Sequence, residues 1–129
     1  MTLSGAMQVS ASGMTAERFR MDVISSNIAN SNSVESDTNQ PYRRREVVLQ
    51  SGDQGVNVIQ VVEDQSPFQV KHDPGNPRAN AQGDVLESNI QPVTEMVDMM
   101  GASRAYEANV AAFNAAKGMV KNALSIAKV

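Results

Sequence analysis

The first thirty residues carry a stripe of mostly apolar positions separated by alternating steps of four and three residues. Its members are Leu3, Met7, Ser10, Met14, Glu17, Met21, Ile24 and Ile28. These steps average 3.5 residues, the period of a coiled-coil seam, and no proline interrupts them. The pattern predicts a helix over about residues 3–30, in which Gly5 and Gly13 allow another helix to approach closely.

The last third of the chain repeats this pattern over a longer stretch. The stripe consists of Met96, Met99, Ser103, Tyr106, Val110, Phe113, Lys117, Val120, Leu124 and Ala127. Pro92 suits the first turn of a helix, and Glu95 and Asp98 follow where the helix dipole favours anions. We therefore expect a second helix over about residues 93–127.

The pattern changes to strand-like character between the two helices. Residues 31–41 are polar and read as a loop, while residues 45–50 and 56–62 resemble strands on either side of a turn. Prolines at 74 and 77 impose turns and extended chain, and residues 78–91 are polar. We predict a mainly α fold with a small β-rich insert of two or three strands, and long terminal helices packed as a coiled coil. The corresponding parts are residues 1–31, 32–92 and 93–129.

The two predicted helices are long compared with the rest of the chain. At 1.5 Å per residue, they would span roughly 40 and 50 Å, more than the insert can cover. The sequence contains eight methionines, whose adaptable side chains suit packing between molecules. The missing partners should be copies of this chain or close relatives, and the free monomer should fray at both ends.

Composition removes several classes of function from consideration. The net charge of −3 argues against a nucleic-acid partner, and the absence of cysteine excludes disulfides and thiol chemistry. We find no apolar run of 18 residues or more, so we expect no direct membrane insertion. The N-terminus also lacks the pattern of a cleavable signal peptide.

Candidate chemistry is sparse. His72 is the single histidine, in a segment that reads as a loop, and no second histidine or HExxH pattern completes a metal or acid–base site around it. Glu63 and Asp64 are adjacent on a strand and should point to opposite faces. We therefore predict no catalytic, cofactor or metal site and no enzymatic activity.

The basic run Arg43-Arg44-Arg45 has three interpretations. It can be a solvated strand or turn edge, it can form salt bridges or a subunit contact, or, least in keeping with its acidic surroundings, it can bind phosphate. Residues 32–92 contain five Lys and Arg against nine Asp and Glu.

The helix end at residues 25–33 reads SSNIANSNS and is rich in asparagine. Asn32 is expected just past the helix, as a cap or in left-handed geometry. Asn27 and Asn30 have two interpretations: they simply end the helix, or they hydrogen-bond at a subunit contact and fix its register.

Four blocks of sequence together point to a family. They are SASGMTAERFRMDVISSNIANSN at 10–32, PYRRREVV at 41–48, DPGNP at 73–77 with Gly83, and PVTEMVDMMGASRAYEANV at 92–110. The first block resembles the N-terminal signature of bacterial flagellar rod and hook proteins. All four, in this order, resemble the proximal-rod members of that axial protein family, and the match covers nearly the whole chain.

The resemblance implies a structural subunit of the flagellar basal body. Such proteins are exported unfolded through the flagellar type III apparatus, without a cleaved signal, and polymerise helically in the periplasm. Their terminal helices form a torque-transmitting tube around the export channel. The implied partners are copies of the chain, other rod proteins, the adaptor at the rod base and export gate, and the export apparatus.

The heptad stripes and the asparagine-rich end supply the predicted interface. The predicted subunit-interface residues are Leu3, Met7, Met14, Met21, Ile24, Asn27, Ile28, Asn30, Met96, Met99, Ser103, Tyr106, Val110, Phe113, Val120 and Leu124. Two alternatives remain: a non-flagellar coiled-coil adaptor or export-needle subunit, and a small enzyme or binding module built around His72.

Overall fold

The computed structural model describes residues 1–128 and contains two long helices and four short strands. The elements are α1 Leu3–Ala29, β1 Arg45–Gly52, β2 Gly55–Glu63, β3 Gln69–His72, β4 Asp84–Glu87 and α2 Pro92–Ala127. The predicted pair of terminal helices and the small β insert are confirmed. Val129, the end of the predicted C-terminal part, lies outside the described residues.

Side chains at the ends of α1 explain where it begins and ends. The hydroxyl of Thr2 accepts a hydrogen bond from the backbone N–H of Gly5 at 3.0 Å. At the other end Asn30 is the C-cap, and its side-chain amide donates to the carbonyl of Ser26 at 2.8 Å. No non-glycine residue of the described chain has a positive φ, so the left-handed geometry that we considered for Asn32 is wrong.

The two helices pack antiparallel through a seam of small residues. The side chains of Asn27 and Glu95 meet at 2.9 Å. Fourteen residues earlier in α1 and fourteen residues later in α2, Gly13 lies against Asn109. A Cβ atom on Gly13 would sit 2.7 Å from the side-chain oxygen of Asn109, so this contact needs glycine. The buried residues of the two helices are Ser10, Ala16, Ile24, Asn27, Glu95, Ala102 and Ala116.

The phase of this seam differs from the predicted one by a single residue. On α2 the row that faces α1 steps by seven through Glu95, Ala102 and Ala116, with Asn109 in the same row, while the predicted row began at Met96. Met96 is instead 54% exposed. Small and polar side chains, rather than methionines, occupy the closest approach of the helices.

The insert holds four strands in two antiparallel pairs, rather than the two or three that we predicted. β1 and β2 form a hairpin that closes at Gly52 and Gly55, and Gly55 has φ +117°, which favours glycine. β3 and β4 form the second pair. The two stretches predicted as strands correspond to β1 and β2. Neither β3 nor β4 was placed, because each has only four residues and little β signal.

A β-bulge explains why the apolar alternation of β2 is only partial. Val48 pairs with Gln60 and Leu49 pairs with Val58, so Ile59 is left between them in the ladder. Such an extra residue reverses the phase of a strand. The hairpin packs on α1 at Ser12, whose hydroxyl accepts a hydrogen bond from the N–H of Val56 at 3.0 Å. Within the described residues, no helix has the length and apolar character that crossing a membrane requires.

Candidate functional site: a polar junction and an open helix face

The chain between the loop and β1 is held on several sides by polar side chains. The N–H of Tyr42 donates to the hydroxyl of Ser33 at 3.1 Å, and the hydroxyl of Ser88 donates to the carbonyl of Tyr42. The side-chain oxygen of Asn89 accepts from the N–H of Arg44 at 2.8 Å. These contacts substitute for a neighbouring strand and fix the point where the insert leaves the helices.

Asn27 of α1 makes further hydrogen bonds to this part of the chain, at Arg45. Its side-chain oxygen accepts from the N–H of Arg45 at 3.0 Å, and its nitrogen donates to the carbonyl of Arg45 at 2.8 Å. The same nitrogen donates to Glu95 of α2 at 2.9 Å. Only an amide carries both the acceptor and the donors that this site uses. Asn27 therefore joins α1, β1 and α2, and it is completely buried.

Arg44 is the centre of an ion-pair cluster. Its guanidinium pairs with Glu46 and Glu95, with Asp98 at 3.0 Å, and with Asp64 at 3.8 Å. Glu95 is fully buried, and both of its oxygens are satisfied, one by Arg44 and the other by Asn27. Burial alone would lower the pKa of Arg44. The hydrogen bonds that its guanidinium donates to Glu95 and Glu46, together with the charges of these carboxylates, raise the pKa above its ordinary value.

Asp64 holds the end of β2 to the same cluster. The hydroxyl of Ser66 donates to its carboxylate at 2.6 Å and the N–H of Ser66 at 2.9 Å, and these bonds lower the pKa of Asp64. Partial burial opposes the shift, while Arg44 and Arg43 reinforce it. We call the group Asn27, Arg44, Asn89 and Glu95 the polar junction.

The structure places the hydrogen bonds of Asn27 within one subunit. Its amide is buried and is occupied by Arg45 and Glu95. It does fix register, but between the elements of a single chain. Asn30 remains exposed, and its amide bonds to its own helix. For the basic run, the salt-bridge interpretation is correct for Arg44.

The other predicted interface residues divide by exposure. Leu3, Met96 and Leu124 are exposed, whereas Ile24 is buried against the helix seam. The remaining predicted residues are half-buried; they are Met7, Met14, Met21, Ile28, Met99, Ser103, Tyr106, Val110, Phe113 and Val120. The half-buried set leaves part of each side chain available for a further contact.

The outer surface of α2 is apolar at its beginning. Val93, Met96, Val97 and Met100 follow the i, i+3, i+4, i+7 spacing of one helix face, and each is more than half exposed. We call these four residues the open face of α2. The sequence analysis identified only Met96 among them. The predicted heptad stripe on α2 passes beside this face and so does not include Val93, Val97 or Met100.

His72 lies on a strand rather than in a loop, which corrects the prediction. Its Nδ1 atom is 2.9 Å from a carboxylate oxygen of Asp84 on the neighbouring strand, and the pair is exposed. Among residues 1–128 no group of three His, Asp or Glu side chains is arranged to hold a metal ion.

Two known protein families match the two ends of the chain. The family described as "Flagella basal body rod protein" matches residues 7–35, and that described as "Flagellar basal body rod FlgEFG protein C-terminal" matches residues 81–126. The matched segments cover most of α1 and nearly all of α2. The fold and these matches define a rod protein of the bacterial flagellum.

Sequence identity to individual relatives identifies which rod protein family the chain belongs to. The chain is 42% identical to the flagellar basal-body rod protein FlgC of Bacillus subtilis, over 99% of this chain and 100% of the relative. It is 39% identical to FlgC of Escherichia coli O6:H1 and 38% identical to FlgC of Borreliella burgdorferi, each over 98% of both chains. The chain belongs to the FlgC family of flagellar basal-body rod proteins. It is a structural subunit of the basal body rather than an enzyme, and the comparisons give no support to the adaptor or enzyme alternatives.

Proposed function

We propose that this subunit polymerises helically through its two terminal helices and so forms the torque-transmitting shaft of the proximal rod around the export channel. The open face of α2 is the observation that carries this proposal. Four large apolar side chains that lie side by side on one helix and are more than half exposed are a typical interaction surface. Since they leave apolar area uncovered in one chain, a neighbouring subunit is the natural partner.

We further propose that the helices pack as a coiled coil. Two contacts between them, Asn27 with Glu95 and Gly13 with Asn109, are separated by two heptads on each helix. A strict seven-residue repeat is the signature of supercoiled helices. The predicted interface residues, apart from the internal Ile24 and Asn27, would then contact neighbouring subunits around this pair.

The polar junction connects the elements of the subunit in a way that is suited to transmitting force. It joins α1, β1, the end of β2 and the first turns of α2 through hydrogen bonds and ion pairs with defined geometry. A load applied to the insert would therefore reach both helices at one point. We propose that residues 1–31, 32–92 and 93–129 act as two axial helices and an outer part that are connected in this way.

The partners and location follow from membership of the rod family. We propose contacts with copies of the chain, with other rod proteins and with the adaptor at the rod base and export gate. Before assembly the chain would pass unfolded through the type III apparatus and then assemble in the periplasm. The helix seam supports passage in an unfolded form, because its small residues bury little apolar area and so hold the monomer weakly.

Charging the open face tests the proposal. Val97 is 60% exposed, so Val97→Asp should leave the monomer folded but abolish motility and remove the subunit from isolated basal bodies. Ser25→Asp is the matched control, since Ser25 is exposed on α1 near the same end of the helix pair. Circular dichroism of both variants establishes that the helices persist. Normal motility of the Val97→Asp strain would refute assembly through this face.

A further inference from the structure

We propose that Met96 and Met100 form a reversible oxidation site that reacts with hydroperoxides and switches the open face of α2 from apolar to polar before assembly. The inference rests on the proposed function, because it gives that assembly surface a way to be turned off. It concerns the chemistry of two side chains and does not depend on which neighbour covers them.

Methionine carries all of the sulfur chemistry of this chain. The sequence contains eight methionines and no cysteine, so no thiol competes for an oxidant. The thioether of an exposed methionine is oxidised to the sulfoxide, and reductases restore it, with one enzyme for each sulfoxide epimer. The response of this chain to an oxidant therefore depends on which thioethers the fold exposes.

Three methionines within five residues differ in exposure. Met96 and Met100 are 54% and 56% exposed on the open face. Met99 is half-buried, and it follows Glu95 by one turn on the side of α2 that packs against α1. All three share one helix and one stretch of sequence, so the packing of the helix alone makes their thioethers unequal.

The remaining methionines do not form a second pair of this kind. Those of α1 are half-buried; they are Met7, Met14 and Met21. Met119 is exposed near the other end of α2, and Met1 is exposed at the start of the chain. Within residues 1–128, only Met96 and Met100 are exposed methionines one helix turn apart, so two oxidation events fall on one patch.

The reaction adds one oxygen atom to each sulfur. A lone pair of the thioether attacks one oxygen of the hydroperoxide, the S–O bond forms, and the O–O bond breaks. The proton passes to the departing oxygen, which leaves as water, or as an alcohol when the oxidant is an organic hydroperoxide. Sulfur loses two electrons and the peroxide gains them, so the reaction needs no further reagent.

Two sulfoxides change what the open face offers to a neighbour. Each S=O group is a polar acceptor, and burying it without a hydrogen-bond donor costs free energy. Val93 and Val97 complete the face and have no side-chain donor to supply. Sulfoxide formation disrupts methionine-rich interfaces for this reason. An oxidised subunit should therefore stay out of the assembly until reductases restore both thioethers.

Mass spectrometry of the full-length subunit tests the site directly. The purified chain is treated briefly with hydrogen peroxide and digested with trypsin, which releases residues 79–104 as one peptide with all three methionines. Fragment ions then locate the added oxygen. We expect Met96 and Met100 to react about fivefold or more faster than Met99, because oxidation follows exposure. The three rates should become equal in urea, where the chain is unfolded. Equal rates in the folded chain would overturn the proposal.

Leucine substitutions test the consequence for assembly. Leucine keeps a similar apolar volume and has no sulfur to oxidise. The subunit is induced with and without mild peroxide, and its amount in isolated basal bodies gives a ratio for each variant. This ratio should be about threefold higher for Met96→Leu combined with Met100→Leu than for the parent. Met99→Leu is the matched control, and its ratio should equal that of the parent. Equal ratios for the double variant and Met99→Leu would refute the switch.

The measurements separate this inference from the proposed function. If the Val97→Asp subunit is excluded from basal bodies but the leucine double variant gives no protection, assembly through the open face stands and only the switch is refuted. If the Val97→Asp subunit assembles normally, the proposed function fails and the switch fails with it.

Discussion

The outward surfaces of α1 and α2 differ sharply, although both helices show the same heptad period. α1 carries the β1–β2 hairpin, to which it is joined at Ser12 and through Gln8, whose amide donates to Gln54 at 3.1 Å. Its remaining exposed positions are mainly polar, and they include Arg18 and Asp22. α2 presents its open face and an exposed C-terminal end at residues 121–128, and within residues 1–128 it packs against no strand.

This difference shows how one chain can combine a defined subunit fold with an exposed apolar surface. The β1–β2 hairpin covers part of α1, so α1 leaves less apolar surface for neighbouring subunits than α2 does. α2 comes closest to α1 at small residues, and it keeps the four large side chains of its open face outside. The apolar area that would strengthen a monomer is thus left available for assembly, which fits a subunit of the rod.

The largest expected effect comes from removing the acid that connects α2 to the insert. Glu95→Ala leaves Arg44 without its most buried partner and removes an acceptor of Asn27. Breaking a buried pair in this way should cost about 3–5 kcal/mol in the free energy of unfolding, measured with urea. Asp98→Ala is the control, because Asp98 is 40% exposed and its loss should cost under about 1 kcal/mol. Equal losses would show that the cluster does not depend on its buried member.

Replacing Asn27 should reduce the stability of the fold almost as much as Glu95→Ala does, whereas replacing Asn30 should have little effect. Asn27→Ala leaves the N–H and carbonyl of Arg45 without their side-chain partner, and we expect a loss of about 3 kcal/mol. Asn30→Ala removes one exposed bond and should cost about 0.5 kcal/mol. Urea unfolding and amide exchange at Arg45 provide the measurements. A larger effect of Asn30→Ala would place the register-fixing asparagine at the helix end instead.

Replacing Gly13 and Gly118 by alanine should change the stability of the monomer in opposite directions. Gly13→Ala drives a methyl group into Asn109 of the facing helix and should destabilise the monomer by about 1–3 kcal/mol. Gly118→Ala meets no atom within 4 Å and should stabilise α2 by about 1 kcal/mol, the helix propensity difference. Thermal unfolding of both variants measures the contrast. Stabilisation by Gly13→Ala would contradict the close approach of the two helices at this point.

The sequence predicted the helices and their period, because an uninterrupted 3.5-residue repeat over many turns is a strong signal. On α1 the predicted stripe includes the buried residues Ser10 and Ile24. On α2 one row was misplaced by one residue, since Glu95 and Asn109 are less hydrophobic than Met96 and Val110 beside them. Hydrophobicity identifies which residues avoid water, but the closest approach of two helices is determined by size. The apolar pattern therefore described the assembly surface as much as the subunit core.

The polar junction could not be predicted, because its partners are distant in sequence. Asn27 bonds to residues 18 and 68 positions away, and Glu95 resembles any acid in the first turn of a helix. The basic run was visible, but only the fold shows that Arg44 turns towards four carboxylates. A buried polar residue within an apolar repeat, such as Asn27 between Ile24 and Ile28, was the one local signal.

The smallest expected effect concerns the end of β2 and depends on pH. The folded pKa of Asp64 lies below its unfolded value, so the carboxylate stabilises the fold above the unfolded pKa. This contribution is lost as the pH falls through the folded pKa. Ser66→Ala removes the hydroxyl donor at 2.6 Å, raises the folded pKa and should slightly reduce stability at neutral pH.

The pH dependence distinguishes this effect from simple loss of packing. The stability difference between the parent and Ser66→Ala should shrink as the pH falls from about 7 to about 2, because Asp64 is then protonated in both. Ser125→Ala removes an exposed hydroxyl that donates to the carbonyl of Lys121, and its effect should not change with pH. Urea unfolding across this range measures both. A constant difference for Ser66→Ala would mean that Ser66 acts without Asp64, and that the end of β2 is held by Arg43 and Asn89 alone.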